Sequence, residues 1–278
     1  MSAPAATRES RRRLSWSAAG LVLIAVFAIA VPFASPNEGR TTNFDRILEA
    51  PTSENMHWFG TDDLGRDLLV RTAEGAQVTL IVALVASLVS LVIGVGYGAI
   101  AGYAGGRTDS VMMRVVDTLY AMPFIFFVIL LMVVFERNFF LMFVAIGAIN
   151  WLDMARIVRG QTIALREREF VLAARLNGAS GTWILARHIV PNLAGIVVVY
   201  LTLTIPQAIL VESFLSFLGL GVQEPETSLG TLVSAGADHL ESASWLLLIP
   251  GGLLAFLLLC FNFAGDRLRD TFDVRESR

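Results

Sequence analysis

Long uncharged runs recur along the chain, and their lengths predict helices able to cross a bilayer. A hydrocarbon core about 30 Å thick takes about 20 apolar helical residues. Runs near that length are Leu14 to Ala34, Gln77 to Tyr103 and Thr118 to Phe135. The third extends back to about Val111, which brings Arg114 and Asp117 into its first turns. Asn138 to Leu152 is shorter, and Ile189 to Val211 and Ser242 to Gly265 complete six. The pattern predicts an all-α polytopic membrane protein with a tail at 1–13, a first span at 14–34, a loop at 35–76, a five-helix core at 77–265 and a tail at 266–278. The first run is longer than a signal-peptide core, about 7–15 residues, and Pro32, Phe33 and Ala34 make no A-x-A site, so it reads as a permanent span.

Charge fixes an orientation. Positive residues are retained on the cytoplasmic side, and 16 of the 21 arginines fall in one set of alternate segments. That set contains Arg8, Arg11, Arg12 and Arg13 near one end and Arg275 and Arg278 at the other, so both termini are expected in the cytoplasm. Dropping any span scrambles the alternation. Three connections are long: 35–76 and 212–241 outside, and 153–192 inside. Loops of that length without structure are uncommon, so each is a candidate functional segment. Pro123, Pro206 and Pro250 lie within spans, where neighbouring helices can accommodate them.

Composition closes off other classes. With 55% hydrophobic and 16% charged residues the chain departs from a soluble domain and has ample apolar surface to offset the entropy of ordering. Every basic residue is arginine, so a P-loop of the GxxxxGK[ST] type and Schiff-base chemistry are both excluded. Cys260 is the only cysteine, so no intrachain disulfide forms. His57 and His239 fall outside and His188 inside, which separates them as metal ligands. Neither an HExxH zinc pattern nor a GxSxG elbow occurs, and the span centres carry no charge.

Several segments invite a specific role. Ser90, Gly94, Gly98, Gly102 and Gly106 form a small-residue stripe that lets another helix approach closely, read as bundle packing. In the inner loop, Ala164 to Asn177 favours helix, Gly178 is placed to end it in a left-handed turn, and Ser180 to cap a second helix from Thr182 to Val190 that stops at Pro191. Two short helices joined by a tight turn make a projecting knob. Ala173 and Ala174 give it a shallow patch flanked by Glu169, Arg175 and Arg187. Asp117 is expected to pair with Arg114 at i, i+3. His57, with Trp58 and Phe59, suits the membrane interface or a contact with an outer protein. Glu212 is open to two readings, contact with a substrate amine in the pathway or a structural role holding the SFLGLG turn.

The stretch EFVLAARLNGASGTWILARHIVPN, Glu169 to Asn192, resembles the EAA signature of membrane subunits of binding-protein-dependent ABC importers. HWFGTDDLGRD from His57, GRTDSVMMRVVDTLYAMPF from Gly106 and ESFLSFLGLGVQEP from Glu212 are similar to the dipeptide, oligopeptide and nickel branch of that family. Leu172 replaces the glutamate that names the signature, Asn177 stands where an apolar residue is usual, and Leu229 where tryptophan is frequent. The resemblance implies a six-span type I importer permease carrying peptides, with nickel, glutathione or another small solute as alternative cargo. A secondary transporter or channel is the rival of another class. It further implies a homologous second permease subunit, an extracytoplasmic binding protein, and two cytoplasmic ATPase subunits that hold ATP and Mg, this chain binding no cofactor. Coupling to those ATPases is carried over to Glu169, Ala173, Ala174, Arg175, Gly178, His188, Pro191 and Asn192.

Overall fold

A computed structural model describes residues 6–37, 39–53, 55–134 and 139–276. Among these residues ten α-helices follow in order: α1 (Ala6–Ala34), α2 (Leu68–Ala104), α3 (Gly106–Ala121), α4 (Phe124–Val134), α5 (Phe139–Arg166), α6 (Glu169–Leu176), α7 (Gly181–Ile184), α8 (Val190–Phe217), α9 (Leu229–Asp238) and α10 (Trp245–Glu276). Among the described residues the β contact is a single antiparallel bridge between Thr61 and Asp67. The architecture is all-α.

Among the described residues, four helical stretches are long and apolar enough to cross a bilayer: Trp16–Ala34, Leu68–Ala104, Gly181–Phe217 and Trp245–Asp270. The other two expected crossings fall on α3 with α4 and on α5. The third is not one helix. Met122 precedes Pro123, adopts an extended conformation (ψ 140°) and separates α3 from α4, because the proline ring disfavours helical geometry in the residue before it. Its end at Phe135 and the start of the fourth at Asn138 lie outside the described residues, as do parts of both tails.

The helices run past the expected spans at their polar ends. α2 begins at Leu68 rather than Gln77, because the Asp67 side chain accepts from the Val70 N–H and caps it. At 37 residues it is about 55 Å long, well beyond a bilayer core. α5 runs on to Arg166, which turns the start of the inner connection into helix. α2 is the spine of the bundle: it packs along α5 and α8, and α1 and α10 close one side. One core cluster, with Ile24, Ala83, Ile146, Ile209 and Leu257, sits between these helices. A second, with Val158, Val171, Ile184 and Ile189, joins the knob to the C-terminal end of α2. A third, with Leu68, Leu232 and Leu246, fastens α9 to the opposite end.

Candidate functional site

The knob is built by three local devices. α5 and α6 are parted at Glu167 and Arg168, with Arg168 extended as N-cap. Asn177 is the C-cap of α6, and Gly178 takes φ +80°. Its N–H donates to the Arg175 carbonyl and the Ala179 N–H to the Ala174 carbonyl, both at 3.1 Å. That pair of bonds is a Schellman ending, which satisfies carbonyls the helix leaves open. Ser180 then caps α7, accepting from the Trp183 N–H at 3.3 Å.

Beyond α7 the chain departs from the expected helix stop at Pro191. Leu185–Ile189 form a π turn, and Pro191 lies in the first turn of α8. Proline lacks an N–H and its ring crowds the carbonyl four residues back in a continuous α-helix. A wider turn relieves that crowding and carries the chain from knob to span without a break. His188, in this turn, packs between Trp183 and Phe170, at ring-centroid distances of 5.0 and 5.9 Å. Asn192 donates to the His188 carbonyl at 2.6 Å. A hollow of about 590 Å³ on the knob is lined by Phe170, Ala174, Asn177, Gly178, Trp183 and His188 among others.

The knob's outer surface is apolar as well as charged. Leu176 is 89% exposed, and Leu172, Phe170 and Trp183 are exposed beside it. Ala173 is exposed and Ala174 half-buried, and Arg175 lies over the Tyr103 ring at 5.6 Å. Glu169 is exposed and enters no ion pair among the described residues.

Three of the glycines on α2 meet α5. A Cβ on Gly94 would lie 2.6 Å from Met154 Cβ, one on Gly98 would strike the Ala155 carbonyl, and one on Gly102 would lie 2.7 Å from the Arg159 carbonyl. Gly106 is not part of this seam: it starts α3 at φ +53° with nothing within 4 Å of a Cβ.

α3 is held by charge rather than burial, since only its Asp109 and Val116 are buried. Arg159 of α5 donates twice to Asp109, both bonds at 2.6 Å. Asp117 pairs with Arg156 of α5 at 2.8 Å, not with Arg114 as spacing along one helix suggests. Arg156 also covers the Tyr120 ring at 4.4 Å. α5 brings two guanidiniums to α3 and runs directly into the knob. The bidentate Arg159 holds the Asp109 carboxyl below the usual carboxylate range, outweighing desolvation. A depressed folded pKa contributes stability above the unfolded value, about 4, which is lost as pH falls through the folded one. The difference in melting temperature between the natural protein and Asp109→Asn is therefore expected to hold from neutral pH to about pH 5 and to shrink progressively as pH falls below about 4. Thermal unfolding in detergent at stepped pH checks it.

At the far end of α2 the loop before it is a folded cap. Asp62 accepts from the Leu64 and Arg66 N–H groups and from Arg66 Nε at 2.7 Å. Arg66 and Arg71 both reach Glu224, at 2.7 and 3.1 Å, tying the cap to the connection between α8 and α9. Burial raises the Glu224 pKa, but the two guanidiniums more than offset it and leave the carboxyl below its ordinary value. His57 is buried, against the expectation of an interfacial or docking residue. Its Nδ1 lies 2.7 Å from Asp67 and its Nε2 3.1 Å from Arg46. Glu212 is fully buried and accepts from Ser216, one turn on, at 2.7 Å. Ser216 in turn lies 3.4 Å from Ser228, the N-cap of α9. This places Glu212 inside the packing of the SFLGLG turn, away from water.

The sequence marks Arg66 of the cap and Asp109 of α3 only through the motifs that carry the resemblance. Their partners, Glu224 for Arg66 and Arg159 for Asp109, lie far along the chain, and no local spacing reveals them.

Comparison with known proteins extends these observations. A family model described as "Binding-protein-dependent transport system inner membrane component" matches residues 94–278. The chain is 51% identical over 275 residues to the oligopeptide transport system permease protein OppC of Escherichia coli strain K12, covering 97% of this chain and 91% of that one. It is 50% identical over 256 residues to the OppC of Haemophilus influenzae, covering 92% of this chain and 82% of the relative. It is 41% identical over 279 residues to the dipeptide transport system permease protein DppC of Bacillus subtilis, with 98% and 87% covered.

Proposed function

This chain belongs to the family of binding-protein-dependent transport system inner membrane components, and from that premise we propose how its helices serve the import of peptides. It is a membrane-spanning permease subunit of an ABC importer of peptides, the cargo its oligopeptide and dipeptide relatives are named for. With a homologous second permease subunit it encloses the translocation pathway. An extracytoplasmic binding protein delivers the peptide to that pair, and ATP and Mg belong to two ATPase subunits in the cytoplasm. The chain crosses the membrane six times with both termini inside, a reading supported by the arginine bias and by the placement of knob and α9 at opposite ends of α2. The exposed apolar row Val111, Val115 and Leu119 on α3 supports a neighbouring subunit in the bilayer.

The observation that carries coupling is the knob's tip. An 89% exposed leucine on a turn rigidly closed by backbone bonds, beside exposed Leu172 and Trp183, is a surface built to be covered. Seated in a groove of an ATPase subunit, the knob is pushed when the two ATPases close. The push passes through the π turn into α8 and through α5 into α3. Glu169, Ala173, Ala174, Arg175, Gly178, His188, Pro191 and Asn192 serve this as docking or shape residues.

Leu176→Asp tests it, since an exposed position tolerates the change without disturbing the fold. Loss of a central apolar anchor at an interface costs about 2 kcal/mol or more, roughly thirtyfold in affinity. The variant is expected to reach the membrane at normal levels and to lose the ATPase subunits on purification. Undiminished copurification overturns the docking role.

A further inference from the structure

α1 and α10 pack against each other. They pinch together at Gly20, where a Cβ would come 2.5 Å from Cys260 Sγ and 3.2 Å from the Phe256 ring. Beyond that contact, toward the end of the bundle that carries α9, a cavity of about 410 Å³ lies between them. Leu23 and Phe27 of α1 form one wall and Ile249 and Leu253 of α10 the other. The cap supplies a lid: Phe59 stacks on Phe27 at 6.4 Å, and its neighbour Trp58 is 60% exposed, as suits the headgroup zone.

The lining offers nothing to a polar occupant. Its one polar side chain, Thr72, spends its hydroxyl on the Leu68 carbonyl at 2.6 Å. Apolar cavities stay dry, and one of about 150 Å³ already holds a benzene molecule. The open side is continuous with the surface that α1 and α10 turn to lipid: Leu23 is 65% exposed, and the apolar windows of both helices are only 22% buried. An apolar hollow of this size, open on the side that α1 and α10 turn to hydrocarbon, fills with hydrocarbon.

We propose that this wedge is a specific lipid site, holding one acyl chain of a phospholipid from the leaflet on the side away from the knob. The occupant packs Phe27, Leu253 and Phe59 against one another, so that lipid is a structural part of the joint between α1, α10 and the cap. The proposal rests on the chain's residence in a bilayer and not on the coupling role of the knob.

The test is phospholipid retention by the intact importer complex, purified through extensive exchange into a lipid-free mild detergent and quantified by mass spectrometry. Leu253→Trp fills the wedge from α10 and Leu23→Trp from α1. The natural complex is expected to retain phospholipid in a fixed ratio to this chain, and each variant to reduce that ratio by one lipid per chain. Phospholipid spin-labelled on the acyl chain is expected to show an immobilised component with the natural complex that both variants lose. Where one variant fails to assemble, the other and the spin label decide. Equal retention and equal immobilisation in natural and filled complexes overturn the proposal. So does lipid held by the isolated chain but absent from the complex, which assigns the wedge to a helix of the partner subunit.

Discussion

Replacing Gly178 with valine is expected to leave the protein folded in the membrane and to abolish peptide-stimulated ATPase activity of the reconstituted importer. A Cβ at Gly178 meets no atom within 4 Å, so crowding plays no part. The cost is in the backbone: φ is +80°, and for an L-residue the left-handed region costs about 1–2 kcal/mol. A β-branched residue fits there worst of all. Strain of that size does not unfold a helical membrane protein, but it does open the turn. As φ relaxes, the two bonds from Gly178 and Ala179 to the end of α6 are lost, and Ala174 and Ala179 lose their fixed places against the buried cluster beneath the knob. α6 then swings relative to α7, and Leu176 no longer presents a fixed surface. Gly178→Asn is the control, because asparagine tolerates the left-handed region, and it is expected to keep most of the stimulation. Stimulation that survives in the valine variant shows that the turn is not what transmits the stroke.

The same residue shows how much of this protein is written locally. Gly178 and Ser180 were recognisable as turn and cap because Schellman endings and N-caps depend on a few adjacent residues. Helix identity followed from run length, which a bilayer dictates. Helix ends did not, since hydropathy is silent on Leu68 to Ala76, which Asp67 caps outside the apolar run. α9 escaped for want of length, although Ser228 and Thr231 make a capping box at its start. Pro191, following a short helix, reads as a stop, and only the π turn makes it a beginning. Charge pairing was the least legible layer. Asp117 had a cation three residues away and chose one 39 residues on, because α5 brings Arg156 to its face. His57 looked like a surface residue until Asp67 and Arg46 enclosed it. Such partners are set by which helices cross, and one sequence does not record that.

The stripe on α2 does record a crossing, and it supports the second large effect. Gly98→Leu is expected to deplete folded protein from the membrane, while Gly96→Leu, two residues away, is expected to accumulate as the natural chain does. A Cβ at Gly98 collides with the Ala155 carbonyl and comes 3.0 Å from the Arg159 backbone nitrogen and 2.9 Å from Val158 Cβ. Two of these neighbours are backbone, which has no rotamer to yield, so α2 and α5 must move apart. Overpacking usually costs about 1–3 kcal/mol; a clash with helical backbone belongs at the upper end, and a leucine adds three more carbons to it. Separation also draws Arg159 away from Asp109, so the tether of α3 weakens together with the seam. Gly96 has nothing within 4 Å of its Cβ, and a side chain there only gains helix propensity. Yield and melting temperature of the two variants, purified side by side, measure the contrast. Because both substitutions add the same side chain to the same helix, a difference between them isolates the close approach of α5. Equal yields and melting temperatures remove the seam as the spine on which the knob, the tethered α3 and the outer cap are mounted.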